Sequence, residues 1–299
     1  MKLFQRIIAL AFVVLSINAS VYADEGMWLL NKLKQLNEAD MQNKGLKLSA
    51  DDIYNINQAC MKDAIVQLGS WSGNSFGGFC TAEIISDKGL LITNHHCGFD
   101  AIQNHSTVEH NYLQDGFWAK SPGEELPNDG LGVRFLIRVD DVTKDVVAQL
   151  SDTMSEKSRN DALTKIYKDI IKKNTEGTAY TADVRPFYYG SEFYLFVYQV
   201  YKDVRLVGAP PQSIGNYGGD TDNWMWPRHT GDFSMFRIYA DENNQPAEYS
   251  PNNKPYKPKR FMNLSLKPLK EGDFTLTYRS EEHTSELQSP YVISYAVFC

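Results

Sequence analysis

Gly78-Phe79-Cys80-Thr81-Ala82-Glu83-Ile84-Ile85-Ser86, followed by Leu91-Ile92-Thr93-Asn94-His95-His96-Cys97-Gly98, is the stretch that decides the architecture. Cys80–Ser86 has the make-up of a strand, Asp87-Lys88-Gly89 supplies a turn, and Leu90–Thr93 reads as the returning strand, so the segment predicts a β-hairpin. Cys80 and Cys97 stand 17 positions apart on these neighbouring elements, a placement suited to a disulfide across the hairpin of an exported chain. Such a bridge pins the strand end that carries His96. An imidazole held at a strand terminus points in one direction, which is what a general base needs in order to serve one nucleophile.

Working outward, Val133, Phe135, Ile137 and Val139 alternate with Arg134, Leu136 and Arg138, which predicts a further strand with one strongly apolar face. Strand patterns recur at Tyr180–Tyr189 and Glu192–Val207, with Gly190-Ser191 as a tight hairpin turn, and again at Phe233–Tyr239 and Phe274–Tyr278. Helical spacing opens the mature chain over Met27–Leu36. It returns between about residues 143 and 173, where Val146, Val147, Leu150, Leu163, Ile166, Tyr167, Ile170 and Ile171 share a face. Many short strands with Gly and Pro turns, interrupted by a helical excursion, predict a mainly β barrel or sandwich with helical insertions.

The chain has 299 residues, 42% hydrophobic and 22% charged, which excludes a disordered, collagenous or multi-span membrane protein. Lys and Arg total 30 against 37 Asp and Glu, for a net charge of -7, and no basic run concentrates charge as a nucleic-acid partner requires. At the front, Lys2 and Arg6 precede the apolar run Ile7–Ile17, and Val21-Tyr22-Ala23 ends in a small residue, so residues 1–23 read as an export signal. The apolar run is 11 residues long, and at about 1.5 Å per residue it falls short of a hydrocarbon core of about 30 Å. At the back, Arg279-Ser280-Glu281-Glu282-His283-Thr284-Ser285-Glu286-Leu287-Gln288-Ser289 is the in-frame translation of a common sequencing-library adapter, which marks 279–299 as an artefactual tail. Residues 24–278 are then the mature part, destined for the periplasm or cell surface.

The second dense segment is Asp220-Thr221-Asp222-Asn223-Trp224-Met225-Trp226-Pro227-Arg228-His229-Thr230-Gly231-Asp232-Phe233-Ser234. Asp232 opens an apolar strand, so its carboxylate can sit at a sheet edge and orient an imidazole. Asp220 and Asp222 offer the same chemistry, and His229 reads equally as a structural donor. Two other classes compete. A metal hydrolase would draw on His95, His96, His105, His110 and His229, but neighbours on a strand point to opposite faces and no His-Glu-x-x-His helix is present. An exported peptide-binding module would use the Trp224–Trp226 loop, although tryptophans also serve as ordinary core residues.

Thr93–Cys97 resembles the Thr-Ala-Ala-His-Cys segment of chymotrypsin-like serine peptidases. With Asp24–Leu29, Thr93–Gly98, His105–Leu113, Asp203–Pro211 and Asp220–Ser234, the whole of 24–278 resembles the bacterial dipeptidyl peptidase 7 and dipeptidyl peptidase 11 family. That resemblance implies serine exopeptidases that release dipeptides from peptide N-termini without a cofactor. It implies a chymotrypsin-like double barrel interrupted by a helical cap domain, and a homodimer. Residue by residue, it makes His96 the general base, puts His95 in a neighbouring residue's slot, makes Asp232 the orienting acid, and places Asn223 and Trp224 around the substrate's free α-amino group. The sequence departs from the pattern in one respect: no Gly-Asn-Ser-Gly-like loop follows Asp232. Gly73-Asn74-Ser75 imitates such a loop but precedes His96 and continues as Phe76-Gly77-Gly78. The expectation is an N-terminal portion of such a peptidase, without its nucleophile and inactive by itself, with Cys60 left over once Cys80 and Cys97 pair.

Overall fold

Alternating apolar side chains draw eleven strands into one sheet in which every pairing is antiparallel. The structure is a computed structural model and describes residues 28–280 apart from 74, 152 and 219–228. The strands are β1 (Ile65–Ser72), β2 (Ser75–Ile84), β3 (Leu90–Thr93), β4 (Phe117–Trp118), β5 (Leu126–Pro127), β6 (Leu131–Asp141), β7 (Tyr180–Phe187), β8 (Glu192–Tyr201), β9 (Asp203–Ala209), β10 (Ser234–Ala240) and β11 (Lys254–Pro255). Their order is β4-β9-β10-β3-β2-β1-β6-β8-β7, with β11 on β10 and β5 on β9. The sheet is mainly β with helices, as expected, but it is not closed.

The hairpin that decided the architecture is present. Glu83 pairs with Ile92 and Ile84 with Leu91, and the buried positions Ala82, Ile84 and Leu91 enter the main core beside Val66, Leu68, Val133, Leu206, Phe236 and Ile238. The helical excursion also stands: helices span Thr143–Val147 and Glu156–Thr175. In the longer one Ile166 and Ile170, one turn apart, are buried in a second core with Val184, Phe193, Leu195 and Val197 of β7 and β8.

Four expectations need correction. The helix His95–His105 begins directly after β3, so His96 lies in a helical first turn rather than at a strand end. The run Glu192–Val207 is two strands, β8 and β9, because the chain changes partners at Lys202: β8 pairs with β6 and β7, and β9 with β10, β4 and β5; both strands are buried on both faces, which erases the alternation that would have marked the break. Its preceding turn is a short 3-10 turn over Tyr188–Gly190, with Tyr188, Tyr189 and Gly190 all at positive φ, rather than a Gly190-Ser191 turn. Phe274 to Tyr278 form no strand; Phe274 and Tyr278 instead pack on the N-terminal helical cluster of Leu33, Met41, Leu46, Ala50 and Ile53.

β6 shows why a polar residue on the nominal outer face can be internal. Arg134 is 4% exposed, lies 4.0 Å over the Tyr198 ring and 5.0 Å over that of Phe76, and pairs with Asp183 at 3.0 Å. On that face the Phe76 ring of β2, the Tyr198 ring of β8 and the Asp183 carboxylate of β7 hold the guanidinium in place of water.

Candidate active site

The site is assembled where β3 and β10 run side by side. Ser234 pairs with Thr93, which sets the two residues before β10, Asp232 and Phe233, against the chain leaving β3. Asn94 takes the N-cap position of the His95–His105 helix but makes no side-chain cap to it. Asp232 does this instead: its Oδ1 accepts the backbone N–H of His95 at 2.6 Å and that of His96 at 3.2 Å. Its Oδ2 takes the Asn94 amide at 3.0 Å and the His96 ring at Nδ1 at 2.9 Å. A carboxylate at a helix N-terminus meets both the unpaired N–H groups and the positive end of the dipole.

Gly98 makes this approach possible. A Cβ there would lie 2.5 Å from Ser234 Oγ and 3.0 Å from Ser234 Cβ, so a side chain would lift the helix off β10. Ser234 Oγ itself donates to the Asn94 carbonyl at 2.8 Å, tying the first turn to the strand a second time. The predicted bridge from Cys80 on β2 to Cys97 is formed and holds the same turn from the opposite side. Cys60 is free and buried.

Electrostatics follow from this geometry. Burial acts to raise the Asp232 carboxyl, but the His96 backbone N–H, the His96 ring and the Asn94 amide outweigh it and hold the carboxyl below its ordinary range. Asp232 is 13% exposed, whereas the His96 side chain is 69% exposed, so the imidazole is gripped at Nδ1 and open to solvent beyond it. That combination leaves the other ring nitrogen, Nε2, free to take a proton from a reacting group.

Other residues singled out in the sequence fall elsewhere. Asn223, Trp224, Asp220 and Asp222 lie outside the described residues. His105 Nε2 meets Asn128 Oδ1 at 3.2 Å, His110 stacks on Tyr112, and His229 sits edge-on to Tyr217, so these three belong to separate local contacts. Among the described residues, the potential metal ligands that cluster are Cys80, His96 and Cys97, within 4.8 Å of one another, and both sulfurs are consumed in the cystine. Ser75 pairs with Ser72 at the tip of the β1–β2 hairpin, about 17 Å of extended strand from Cys80. His95 is the residue whose part the sequence did not reveal: it is buried, whereas its neighbour His96 is exposed.

The model of the family Peptidase S46 matches residues 23–296, running past the boundary that the sequence suggests after Tyr278. The chain is 55% identical over 256 residues to a dipeptidyl-peptidase 7 of Capnocytophaga gingivalis, covering 86% of this chain and 35% of that protein. It is 48% identical to an Asp/Glu-specific dipeptidyl-peptidase of the same organism, over 91% of this chain and 37% of that one. Among solved structures it is similar to Porphyromonas endodontalis DPP11 in complex with the dipeptide Arg-Glu, with a TM-score of 0.75 and 45% identity, covering 84% of this chain and 35% of that one. The chain thus spans little more than a third of the length of these relatives. With a family match over most of its length and identities of 45%, 48% and 55% over the aligned residues of these relatives, this chain belongs to the S46 family of peptidases.

Proposed function

We propose that residues 24–278 provide the acid–base half of a serine-type dipeptidyl peptidase that acts in the periplasm or at the cell surface. The single observation that carries this is the His96 Nδ1 to Asp232 Oδ2 contact of 2.9 Å on a ring otherwise exposed. With Nδ1–H donating to Asp232, Nε2 carries the lone pair. It can take the proton of a serine hydroxyl as Oγ attacks the scissile carbonyl, then return that proton to the leaving amine. Asp232 stays ionised throughout and stabilises the imidazolium that forms between these steps.

The nucleophile is read as coming from sequence outside this stretch, since no serine here stands in the expected loop after Asp232. The relatives' greater length supports that reading. Asn223 and Trp224 are assigned to the free α-amino group of the peptide: an amide oxygen accepts from an ammonium, and an indole shields that contact from water. The substrates are therefore peptides with a free N-terminus, and the complete enzyme is read as a homodimer. Relatives named for Asp/Glu specificity and relatives named dipeptidyl-peptidase 7 match about equally well, so no preference before the scissile bond is assigned.

Two measurements test this. Purified residues 24–278 should release no dipeptide above background; release abolished by His96→Ala would overturn the assignment of the nucleophile. A serine-reactive probe on the complete gene product should label it, with labelling lost in His96→Ala. Absence of labelling would favour an exported peptide-binding module instead.

A further inference from the structure

His95 is 1% exposed, and its imidazole is enclosed between two features of the segment that leads to Asp232. One is the Pro210 backbone carbonyl, which acts to raise the pKa of the ring against the burial that lowers it. The other is Gly215, the last residue of the Gln212–Gly215 turn, where a Cβ would lie 2.4 Å from the ring at both Cγ and Cδ2. Nε2 is buried and has no partner among the described residues, which leaves Nδ1 as the ring atom to face the Pro210 carbonyl. The unpaired Nε2 lone pair is a cost that an apolar side chain of similar volume would avoid. What the imidazole offers in return is an N–H in one fixed direction and a flat face that fits against a glycine.

The contacts then run in a closed circuit. The Gln212–Gly215 turn holds the returning chain through Gly231 N–H to the Ile214 carbonyl at 2.9 Å, and Thr230 Oγ1 donates to the Tyr217 carbonyl at 2.9 Å. The residue after Gly231 is Asp232, whose Oδ1 accepts the backbone N–H of His95 at 2.6 Å. His95 thus fixes the segment with its ring and receives that segment's end with its backbone.

We propose that His95 is a positioning residue of the site: its buried ring, seated between Pro210 and Gly215, sets where Asp232 arrives under His96. The proposal rests on the pairing of Asp232 with His96 as an acid–base unit, but not on the identity of the nucleophile. It assigns the two adjacent histidines separate work, one exposed and reactive, the other internal and architectural. Asparagine can place its Nδ2 near the position of the histidine Nδ1 and keep the donor to Pro210. Glutamine and leucine cannot.

The test follows the Asp232 carboxyl through a pH titration by carbon-detected NMR on the chain carrying His95→Asn, His95→Gln, His95→Leu or Gly215→Ala. A merely space-filling residue would not move this readout. Leucine, glutamine and the Gly215→Ala ring displacement should each shift the Asp232 titration up toward the ordinary carboxylate range, while asparagine should leave it as in the parent. A folded His95→Leu or Gly215→Ala chain with an unchanged Asp232 titration overturns the proposal, as does an asparagine variant shifted as far as the leucine one. Should His95→Leu not fold, Gly215→Ala against His95→Asn decides alone. If His96→Ala leaves Asp232 unmoved, it is the His96–Asp232 pairing that fails, an outcome separate from the others.

Discussion

Replacing Asp232 by alanine should destabilise the chain far more than replacing His96, although the two side chains touch. Asp232 collects four donors: the Asn94 amide, the backbone N–H groups of His95 and His96, and the His96 ring. Water can replace the carboxylate at Asn94 and His96, which are exposed, but not at the buried His95. A hydrogen bond to a charged group contributes about 1.5–3 kcal/mol, and losing a helix N-cap costs about 1 kcal/mol. The expectation for Asp232→Ala is therefore a loss of about 3 kcal/mol at neutral pH. His96→Ala removes a ring that is 69% exposed and leaves three of the four donors in place, so it should cost about 0.5 kcal/mol or less. Urea denaturation at a series of pH values separates these cases. The Asp232 carboxyl is held below its unfolded value of about 3.9, so its stabilisation is complete above that pH and is lost as pH falls through the lower folded value. The gap between parent and Asp232→Ala should accordingly shrink in acid. Variants at 232 and 96 that lose equal stability at pH 7, or a gap that persists unchanged in acid, would refute the double role given to Asp232.

Three further outcomes are open to direct measurement. Reducing the Cys80–Cys97 bridge, which closes a loop of 17 residues, should lower the unfolding free energy by about 3 kcal/mol, and denaturation with and without a dithiol reads this directly. Glu125 is buried and accepts from Arg237 at 2.9 Å and from the Tyr239 hydroxyl at 2.8 Å; Glu125→Ala strands both and should cost about 3–5 kcal/mol in the same assay. Burial pushes the His95 imidazole below its ordinary range, so the unfolded chain binds the proton more readily, and stability should fall as pH drops below about 6.5 toward the folded value. That slope should be absent in His95→Asn, and a parent-like slope there would assign it to another group.

The parts of the molecule legible in the sequence were those set by local chemistry. Strand, turn and strand from Cys80 to Thr93 could be read because Asp87-Lys88-Gly89 interrupts two short apolar runs. The helix Glu156–Thr175 could be read because Ile166 and Ile170 recur at helical spacing. Asp232 was one of three acidic candidates until β10 paired with β3 and brought it to the helix. What could not be read depended on neighbours distant in the chain. Arg134 looks like a solvent-facing residue until β8 covers it. The resemblance sets His95 apart from His96, but that Gly215 closes over its ring depends on a segment more than a hundred positions later. Phe274 alternates like a strand residue, but its partners are helices more than two hundred positions earlier.

The pairing of β3 with β10 also has a consequence in time. Asp232 lies 136 residues beyond His96, so as the chain emerges from the ribosome the hairpin of β2 and β3 can form long before the group that caps its following helix exists. Closing so long a connection is slow in comparison with local pairing. Until it closes, the first turn of that helix has open N–H groups and His96 has no fixed tautomer. The imidazole therefore stays unaimed in every immature form of the chain and is held in one direction only once β10 has joined β3.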